Sequence, residues 1–309
     1  MTLEQLRIFI AVAEREHVTA AARALNVTQS AASAAIAALE ERHAVKLFDR
    51  VGRGIVLTEA GRLFLAEARG VLARAAAAET VLEELSGLRR GRLRLVASQT
   101  TAAYWLPPIL AEFQARHPAL TVELAIGNTD QAAARVLEGE ADLGVVEGRV
   151  DDAALAHWPV GEDRLVLVSA EPFGDAAIDA RWLKRARWIM REPGSGTRSS
   201  LDAHLRGLGI DPAALKVALV LPSNESVRTA VEAGAGVAVL SSLVVAPALA
   251  AGTLHAAPLE FGPRTFHGLR HKERYRSKAA DALLQVIAAW RPTLRPSCPP
   301  AGSSPTAAE

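Results

Sequence analysis

Apolar residues near the start of the chain recur at intervals of three and four positions, which is the spacing of an amphipathic helix. These residues are Leu6, Phe9, Ile10 and Ala13. The pattern predicts a helix from about residue 3 to residue 16. Two further helices are predicted over 20–25 and 29–42, because Thr19 and Thr28 are typical N-cap residues directly before them.

Residues 19–39 combine a short helix of small residues, a polar break and a second helix. Asn26, in the break, suits the left-handed backbone that often ends a helix. The core face of the second helix carries Ala32, Ile36 and Leu39, and its opposite face carries Gln29, Ser30 and Ser33. This organisation is that of a helix-turn-helix, whose second helix enters the major groove of DNA. The pattern therefore predicts DNA binding.

Two short strands and a long helix are predicted next. Apolar stretches at 46–48 and 54–57 flank a glycine-rich turn, which indicates a β-wing with Arg50 and Arg53 at its tip. Thr58 then caps a helix in which apolar residues follow at alternating steps of four and three: Phe64, Ala68, Val71, Ala75, Ala78, Leu82 and Leu85. One helix cannot bury such a heptad seam alone, so the seam predicts dimerisation.

Beyond Gly91 strands alternate with helices, which predicts an α/β domain with a mostly parallel sheet covered on both faces. The predicted strands are 92–97, 121–126, 142–146, 164–168, 187–190, 216–221 and 237–240. The predicted helices are about 103–116, 129–138, 197–207, 224–233 and 276–290. The last residues are rich in proline, serine and alanine, and we expect a disordered tail there.

Composition limits the class of protein. The 309 residues suit about two domains, half of them are hydrophobic, and no apolar run approaches the ~20 residues that span a bilayer, so no membrane partner is expected. The first residues lack the basic start of a signal peptide, and the single cysteine, Cys298, fits a reducing compartment. We therefore expect a cytoplasmic protein. Residues 1–62 hold eight basic and seven acidic residues, so DNA affinity depends on where the charges lie.

The order of these elements resembles that of a LysR-type transcriptional regulator. The segment LEQLRIFIAVAEREHVTAAARALNVTQSAASAAIAALEERHAVKLFDRVGRGIVLTEAG spans 3–61 and matches in length and order. The resemblance continues through GRLRLVASQT (91–100), FQARHPAL (113–120), EGEADLGVVEG (138–148) and AGAGVAVLSS (233–242). It implies a winged helix-turn-helix domain at 1–58, a linker helix at 59–90, an effector-binding domain at 91–291 and a tail at 292–309.

The same resemblance implies how the parts assemble. The effector domain would be two α/β halves joined by two crossovers, like a periplasmic solute-binding protein, with 91–161 and 265–290 in one half and 162–264 in the other. A small effector would bind in the cleft between the halves. Members of the family form homodimers and homotetramers, bind double-stranded operator DNA and contact RNA polymerase.

Six residues are candidates for contact with DNA. Gln29, Ser30 and Ser33 would reach base edges, whereas Thr28, Arg50 and Arg53 would bind phosphates. Many relatives have a basic residue where this chain has Ala34, so its helix offers no arginine–guanine contact from mid-helix. The alternative is that Ser30 and Ser33 are only solvated helix residues.

Two segments that each follow a strand and open a helix are candidates for the effector site. They contain Ser98–Thr101 and 191–198, and their hydroxyls and free N–H groups suit an anion. The candidate residues are Ser98, Gln99, Thr100, Thr101, Asn128, Thr129, Glu147, Ser195, Gly196 and Thr197. The alternative is that the hydroxyls only cap helices. ASQT, YWLP and REPGSGTR most resemble regulators of sulfur assimilation and carbon fixation, which implies a small oxyanion or phosphorylated metabolite.

Two other functions were weighed against DNA-binding regulation. An enzyme is disfavoured because G-x-S-x-G, the P-loop motif and a G-x-G-x-x-G after the first strand are missing. His267 and His271 stand four apart without a nearby cysteine or HExxH, so we expect no metal site and no cofactor. A transport binding protein would need export and would not begin with a DNA-binding unit.

Overall fold

The computed structural model describes residues 1–52, 54–85, 91–174 and 177–290. The N-terminal elements are α1 (Leu3–Arg15), α2 (Val18–Ala24), α3 (Gln29–His43), β1 (Phe48–Val51), β2 (Gly54–Leu57) and α4 (Glu59–Leu85). Arg53, residues 86–90 of the predicted linker and the predicted tail at 292–309 lie outside the described residues. No helix within the described ranges is long and apolar enough to cross a membrane.

The remaining elements form the α/β part of the chain. In order they are β3 (Gly91–Ser98), a π-helical turn (Thr101–Trp105), α5 (Leu106–Arg116), β4 (Leu120–Gly127), α6 (Thr129–Glu138), β5 (Leu143–Val146), β6 (Leu155–Ser169), α7 (Ala180–Arg185), β7 (Arg187–Arg191), α8 (Gly196–Gly207), β8 (Lys216–Leu221), α9 (Asn224–Glu232), β9 (Ala238–Ser241), α10 (Ser242–Ala251), β10 (His255–Ala256), β11 (Pro263–His271) and α11 (Lys278–Ala289).

The three N-terminal helices and the wing follow the predicted order. Asn26 is left-handed at φ 55°, and Thr28 caps α3 by accepting a hydrogen bond from the Ala31 N–H. The start of α2 was predicted wrongly. It is capped by His17, whose Nδ1 accepts the Ala20 N–H at 3.2 Å, so the helix begins before Thr19.

A buried carboxylate fixes the wing against α3. Glu40 accepts the backbone N–H groups of Leu47 and Phe48 at 2.8 and 3.2 Å and the ammonium of Lys46 at 2.7 Å. Burial opposes its charge, but these donors outweigh burial and hold the pKa of Glu40 below its ordinary value. Because Glu40 occupies the amide of Leu47, β1 begins at Phe48 rather than at the predicted residue 46.

The main sheet is mixed, not mostly parallel as predicted. Its order is β10–β6–β11–β5–β3–β4, with β9 also paired to β6, and only the pairs of β3 with β4 and with β5 are parallel. The antiparallel strands β6 and β11 run beside each other through both halves. They are the two crossovers that the family resemblance implied. Here lobe I denotes β3, β4, β5, α5, α6 and α11, and lobe II denotes β7, β8, β9 and α7–α10.

Each lobe has its own apolar core. In lobe I, the strand β3 packs Leu93 and Leu95 against Phe113 of α5 and Leu283 of α11. In lobe II, Trp188 of β7 is fully buried. The two cores are separate, and the main chain passes between the lobes in β6 and β11.

Candidate nucleic-acid interface and ligand cleft

The outer face of α3 is small and uncharged. Gln29, Ser30, Ser33 and Ala34 are all exposed. The Thr28 hydroxyl is within 3.0 Å of the Ser30 hydroxyl while it caps the helix, so this pair is oriented by the N-terminus of α3. Short side chains let the helix backbone approach a partner closely, and their hydroxyls and amide can donate and accept hydrogen bonds at base edges.

The wing contributes the exposed cation next to this face. Arg50 lies on β1 opposite Ile55 of β2 and is exposed. Its predicted companion Arg53 lies outside the described residues. Since Glu40 of α3 binds the backbone at the start of β1, Arg50 is held at a fixed position relative to α3.

The predicted heptad seam of α4 divides into two parts. Ala68 is only 1% exposed within the chain itself, where it packs with Leu6 and Phe9, so it cannot also contact a second copy. Phe64 lies against Phe9 with ring centroids 4.8 Å apart. The assignment of Ala68 to dimerisation is therefore corrected, because this residue completes the core of the winged domain. Phe64 is half-buried, so its role in dimerisation stays a prediction. The rest of the seam is half-buried or exposed: Val71, Ala75, Ala78, Leu82 and Leu85.

One arginine of α4 connects the winged domain with lobe I. The Arg69 guanidinium lies 2.8 Å from a carboxylate oxygen of Glu14 in α1 and 2.7 Å from one of Glu138 at the end of α6. Glu140 lies 3.7 Å away. Burial opposes the charge of Arg69, but the three carboxylates raise its pKa above the ordinary value. Arg69 thus bridges α1 of the winged domain and α6 of lobe I.

The two lobes touch directly across the cleft. A Cβ added to Gly196 would lie 2.7 Å from the Thr129 hydroxyl oxygen and 3.0 Å from the Gly148 nitrogen. The first distance is shorter than real Cβ contacts and the second is tighter than most of them, so this approach favours glycine. The N-terminus of α6 in lobe I therefore meets the N-terminus of α8 in lobe II.

Hydrogen bonds close one rim of the cleft. The Gln99 side chain donates to the Pro222 carbonyl at 2.8 Å and accepts the Asn224 N–H at 2.9 Å. The Asn224 amide donates to the Thr100 hydroxyl at 3.0 Å. Tyr104 and Glu225 form a further bond across the same rim. Asn224 is fully buried, and sequence reasoning missed it because it looked like an ordinary helix start.

The opposite rim is closed by the loop before α8. Asn128 caps α6 by accepting the Gln131 N–H at 2.9 Å, and its amide donates to Glu192 at 3.3 Å. The Asp130 N–H donates to the Gly194 carbonyl at 3.4 Å. The predicted residues 128–129 and 194–197 therefore lie together, whereas Gln99 and Thr100 contact Pro222 and Asn224.

Two hydroxyls in the cleft are buried and have no partner. Thr129 is 4% and Ser195 1% exposed, and neither hydroxyl oxygen makes a hydrogen bond with any part of the chain that the structure describes. Ser195 precedes α8 but does not cap it. Buried polar groups are almost always hydrogen-bonded, so each of these is a site for a missing partner.

Three other predicted residues already have partners in the protein. The Thr101 hydroxyl donates within lobe I to the Ser98 and Val145 carbonyls, both at 2.9 Å, and lies 3.0 Å from the Ser98 hydroxyl. These bonds hold the turn after β3. Glu147 accepts the Thr100 N–H at 3.1 Å, so a carboxylate of the chain itself already binds this backbone amide.

Two arginines are buried in the cleft: Arg264, which the sequence analysis missed, and Arg191, which lies in the candidate segment 191–198. Arg264 is 6% exposed, pairs with Asp163 and donates to the Thr197 hydroxyl at 3.0 Å. Burial opposes its charge, but Asp163 and Glu147 raise the pKa of Arg264. Arg191 pairs with Glu192 and also reaches Asn224. Arg264 gave no signal because strand β11 was not predicted.

A metal is not indicated by the side chains of the described residues. Among them, no group of three or more histidine, cysteine, aspartate or glutamate residues is placed to hold an ion. His157 and His267 approach with ring centroids 5.9 Å apart. Burial and the neighbouring cations lower the pKa of His267.

We predict that Gly196→Ala separates the lobes and destabilises the α/β domain. The added methyl group meets the Thr129 hydroxyl and the Gly148 backbone, and such overpacking costs about 1–3 kcal/mol. Gly207→Ala, at the other end of α8, is the matched control because a Cβ there has nothing within 4 Å. Scanning calorimetry should give a lower Tm for Gly196→Ala and an unchanged or higher Tm for the control. Equal Tm values would contradict the close contact.

Comparison with known proteins identifies the family to which the chain belongs. Residues 3–62 match the bacterial regulatory helix-turn-helix proteins of the lysR family, and residues 86–291 match the LysR substrate binding domain. The uncharacterised HTH-type transcriptional regulator YeiE of Escherichia coli K12 is 34% identical over 292 residues, 92% of this chain and 96% of YeiE. A probable RuBisCO transcriptional regulator of Nostoc sp. PCC 7120 is 34% identical over 294 residues, 93% of this chain and 87% of that protein.

Solved structures agree with these matches. Full-length CbnR in complex with its target DNA has a TM-score of 0.66 at 22% identity, covers 94% of this chain and 99% of its own, and supports the fold. The Synechocystis CcmR regulatory domain in complex with 2-PG has a TM-score of 0.59 at 27% identity over 65% of this chain and 97% of its own. CcmR and the RuBisCO regulators support the expected resemblance to the carbon-fixation branch. The chain belongs to the LysR family of DNA-binding transcriptional regulators.

Proposed function

We propose that this LysR-family regulator binds a small anion between its lobes, and that the bound anion changes how its copies hold operator DNA. The observation that carries the proposal is the pair of buried, unpartnered hydroxyls of Thr129 and Ser195. An unsatisfied buried hydroxyl costs about 1–3 kcal/mol. A ligand that accepts hydrogen bonds from both hydroxyls removes this cost.

The location of the hydroxyls favours an anion over a neutral ligand. Thr129 opens α6 and Ser195 directly precedes α8, and these N-termini meet at Gly196. Backbone N–H groups and the positive ends of two helix dipoles favour negative charge at such a point. The known ligand of the relative CcmR, 2-PG, is consistent with this chemistry.

Glu147 sets a condition on the effector. Its carboxylate accepts the Thr100 N–H, and Arg264 is already paired with Asp163. An incoming anion would therefore compete with Glu147 for the Thr100 N–H, because two adjacent negative charges repel each other. Displacement of Glu147 couples ligand binding to a rearrangement at Gly148, where the lobes touch.

Arg69 offers a route from the lobes to the DNA. It joins α1 and lobe I through Glu14 and Glu138, and the backbone at Gly139 packs directly on Ala73 of α4. A movement of lobe I is therefore transmitted to the linker helix and the winged domain. The ligand achieves this only by binding one arrangement of the lobes better than the other.

Self-association completes the proposal. Val71, Leu82 and Leu85 of α4 are 41%, 68% and 78% exposed, which leaves an apolar stripe for a second copy. Ile126 on β4 and Leu219 on β8 are also exposed on strands that are edges of their sheets within the described part of the chain, and would join effector domains of paired copies. Because the family resemblance implies homodimers, homotetramers and contact with RNA polymerase, we include these partners in the proposal.

We predict that removing the two free hydroxyls abolishes the effector response without damage to the fold. Thr129→Val and Ser195→Ala each remove a hydroxyl that has no partner in the described chain, so the Tm should stay equal or rise. The matched control is Thr121→Val on the exposed face of β4. Calorimetric titration with 2-PG, inorganic phosphate and sulfate measures binding, and gel-shift titration measures the operator affinity.

For the wild type and for Thr121→Val, at least one of the three anions should bind and shift the operator affinity. The two cleft variants should bind that anion at least 10-fold more weakly and keep the anion-free operator affinity. Full anion binding by both cleft variants would overturn the assignment of the site.

We predict that Val71→Glu disrupts self-association and weakens operator binding. A buried charge in a helix seam is costly, and a monomer loses the avidity that linked DNA-binding heads provide. Val45→Glu is the matched control, since Val45 is also 41% exposed but lies outside the seam. Sedimentation should show a loss of oligomer for Val71→Glu only. An unchanged oligomer would rule out the stripe as the interface.

A further inference from the structure

The junction between α4 and lobe I encloses a small cavity. Its volume is about 40 Å³, which is room for about three waters at roughly 10–15 Å³ each or for the oxygens of one small anion. Ala73, Ala77 and Thr80 of α4 form one wall. None of the residues of the cleft lines it, so the cavity is separate from the proposed effector site.

Positive charge dominates the opposite wall. Arg94, Arg270, Arg274 and Arg276 line the cavity, together with the two aspartates Asp142 and Asp281. Each aspartate is already paired. Asp142 binds Arg94 at 2.5 Å, and Asp281 binds Arg276. The other two arginines of the wall, Arg270 and Arg274, therefore form no ion pair with these aspartates.

Two arginines at the junction donate to backbone carbonyls. Arg274 donates to the carbonyls of Val136 and Leu137 at the end of α6. Arg74 of α4 follows the lining residue Ala73 and donates to the Glu273 carbonyl at 3.1 Å. No residue within the described ranges forms a hydrogen bond or ion pair with the guanidinium of Arg270.

These cations are close enough to repel one another. Burial, followed by repulsion from Arg74 and Arg94, lowers the pKa of Arg274. Burial, followed by repulsion from Arg274 and Arg74, lowers the pKa of His271, although Glu273 and Asp152 act in the opposite direction. A small anion would relieve this repulsion, and guanidinium groups bind oxyanions with geometric specificity.

We propose that this junction is a second anion site, which takes a small tetrahedral oxyanion such as phosphate or sulfate. Arg74 would bind the anion from the linker helix, and Arg270 and Arg274 would bind it from lobe I. The anion therefore bridges the two and holds α4 against the effector domain. The site goes beyond the proposed function, because it shares no residue with the cleft and acts on the linker directly.

The test measures the Tm of the full chain with phosphate, with sulfate and with potassium chloride at equal ionic strength. Chloride controls for screening of charges, which any salt produces. Arg270→Gln is the diagnostic variant, since Arg270 has no partner among the described residues whose loss would disturb the fold. Arg181→Gln, an exposed arginine of α7, is the matched control. The double variant Thr129→Val/Ser195→Ala lacks the hydroxyls of the cleft.

Phosphate or sulfate should raise the Tm of the wild type, of the Arg181→Gln control and of the cleft double variant by about 2–4 °C beyond chloride. Arg270→Gln should lose at least half of that rise. The second site is wrong if Arg270→Gln keeps the full rise, if the rise vanishes in the cleft double variant, or if the wild type does not respond. If the rise in Tm is lost only in the cleft double variant, the anion binds in the cleft, and the proposed function still stands.

Discussion

The contact between the lobes at Gly148, Thr129 and Gly196 is the constraint on which the effector domain depends. It brings two helix N-termini so close that glycine is favoured, and it removes the Thr129 and Ser195 hydroxyls from water. Closure therefore buries polar groups that the chain itself leaves unsatisfied. In the proposed function, a ligand of the right size and charge stabilises this arrangement and so acts on the position of the lobes.

The DNA-binding end follows the opposite principle, because it relies on many weak contacts. The face of α3 carries short, uncharged side chains, and the described wing adds the single cation Arg50. We propose that affinity comes from helix N-termini that contact phosphates and from the avidity of linked copies. In that proposal Arg69 is important, because it connects α1, α4 and lobe I.

Local sequence signals predicted much of this arrangement. N-caps and periodicity located α3, and the candidate segments at 128–129 and 194–197 lie next to each other. Helix α10 was missed because its residues are apolar on all sides and include Pro247, so no period of 3.6 is visible. Strand β11 was missed because Arg264 and Gly268 occupy two of its buried positions, so the sequence lacks the apolar alternation of a strand. Ion pairs between distant strands leave no local pattern.

Hydrogen–deuterium exchange of the full chain on operator DNA tests the central claim most directly. The exchange is compared with and without 2-PG, or the tightest-binding oxyanion of a small panel, over residues 98–101, 194–197 and 59–85. We expect the ligand to slow exchange in both cleft segments and to change exchange along the linker helix at the same time. Protection of the cleft with an unaltered linker helix would contradict the claim that the lobes control the DNA-binding heads.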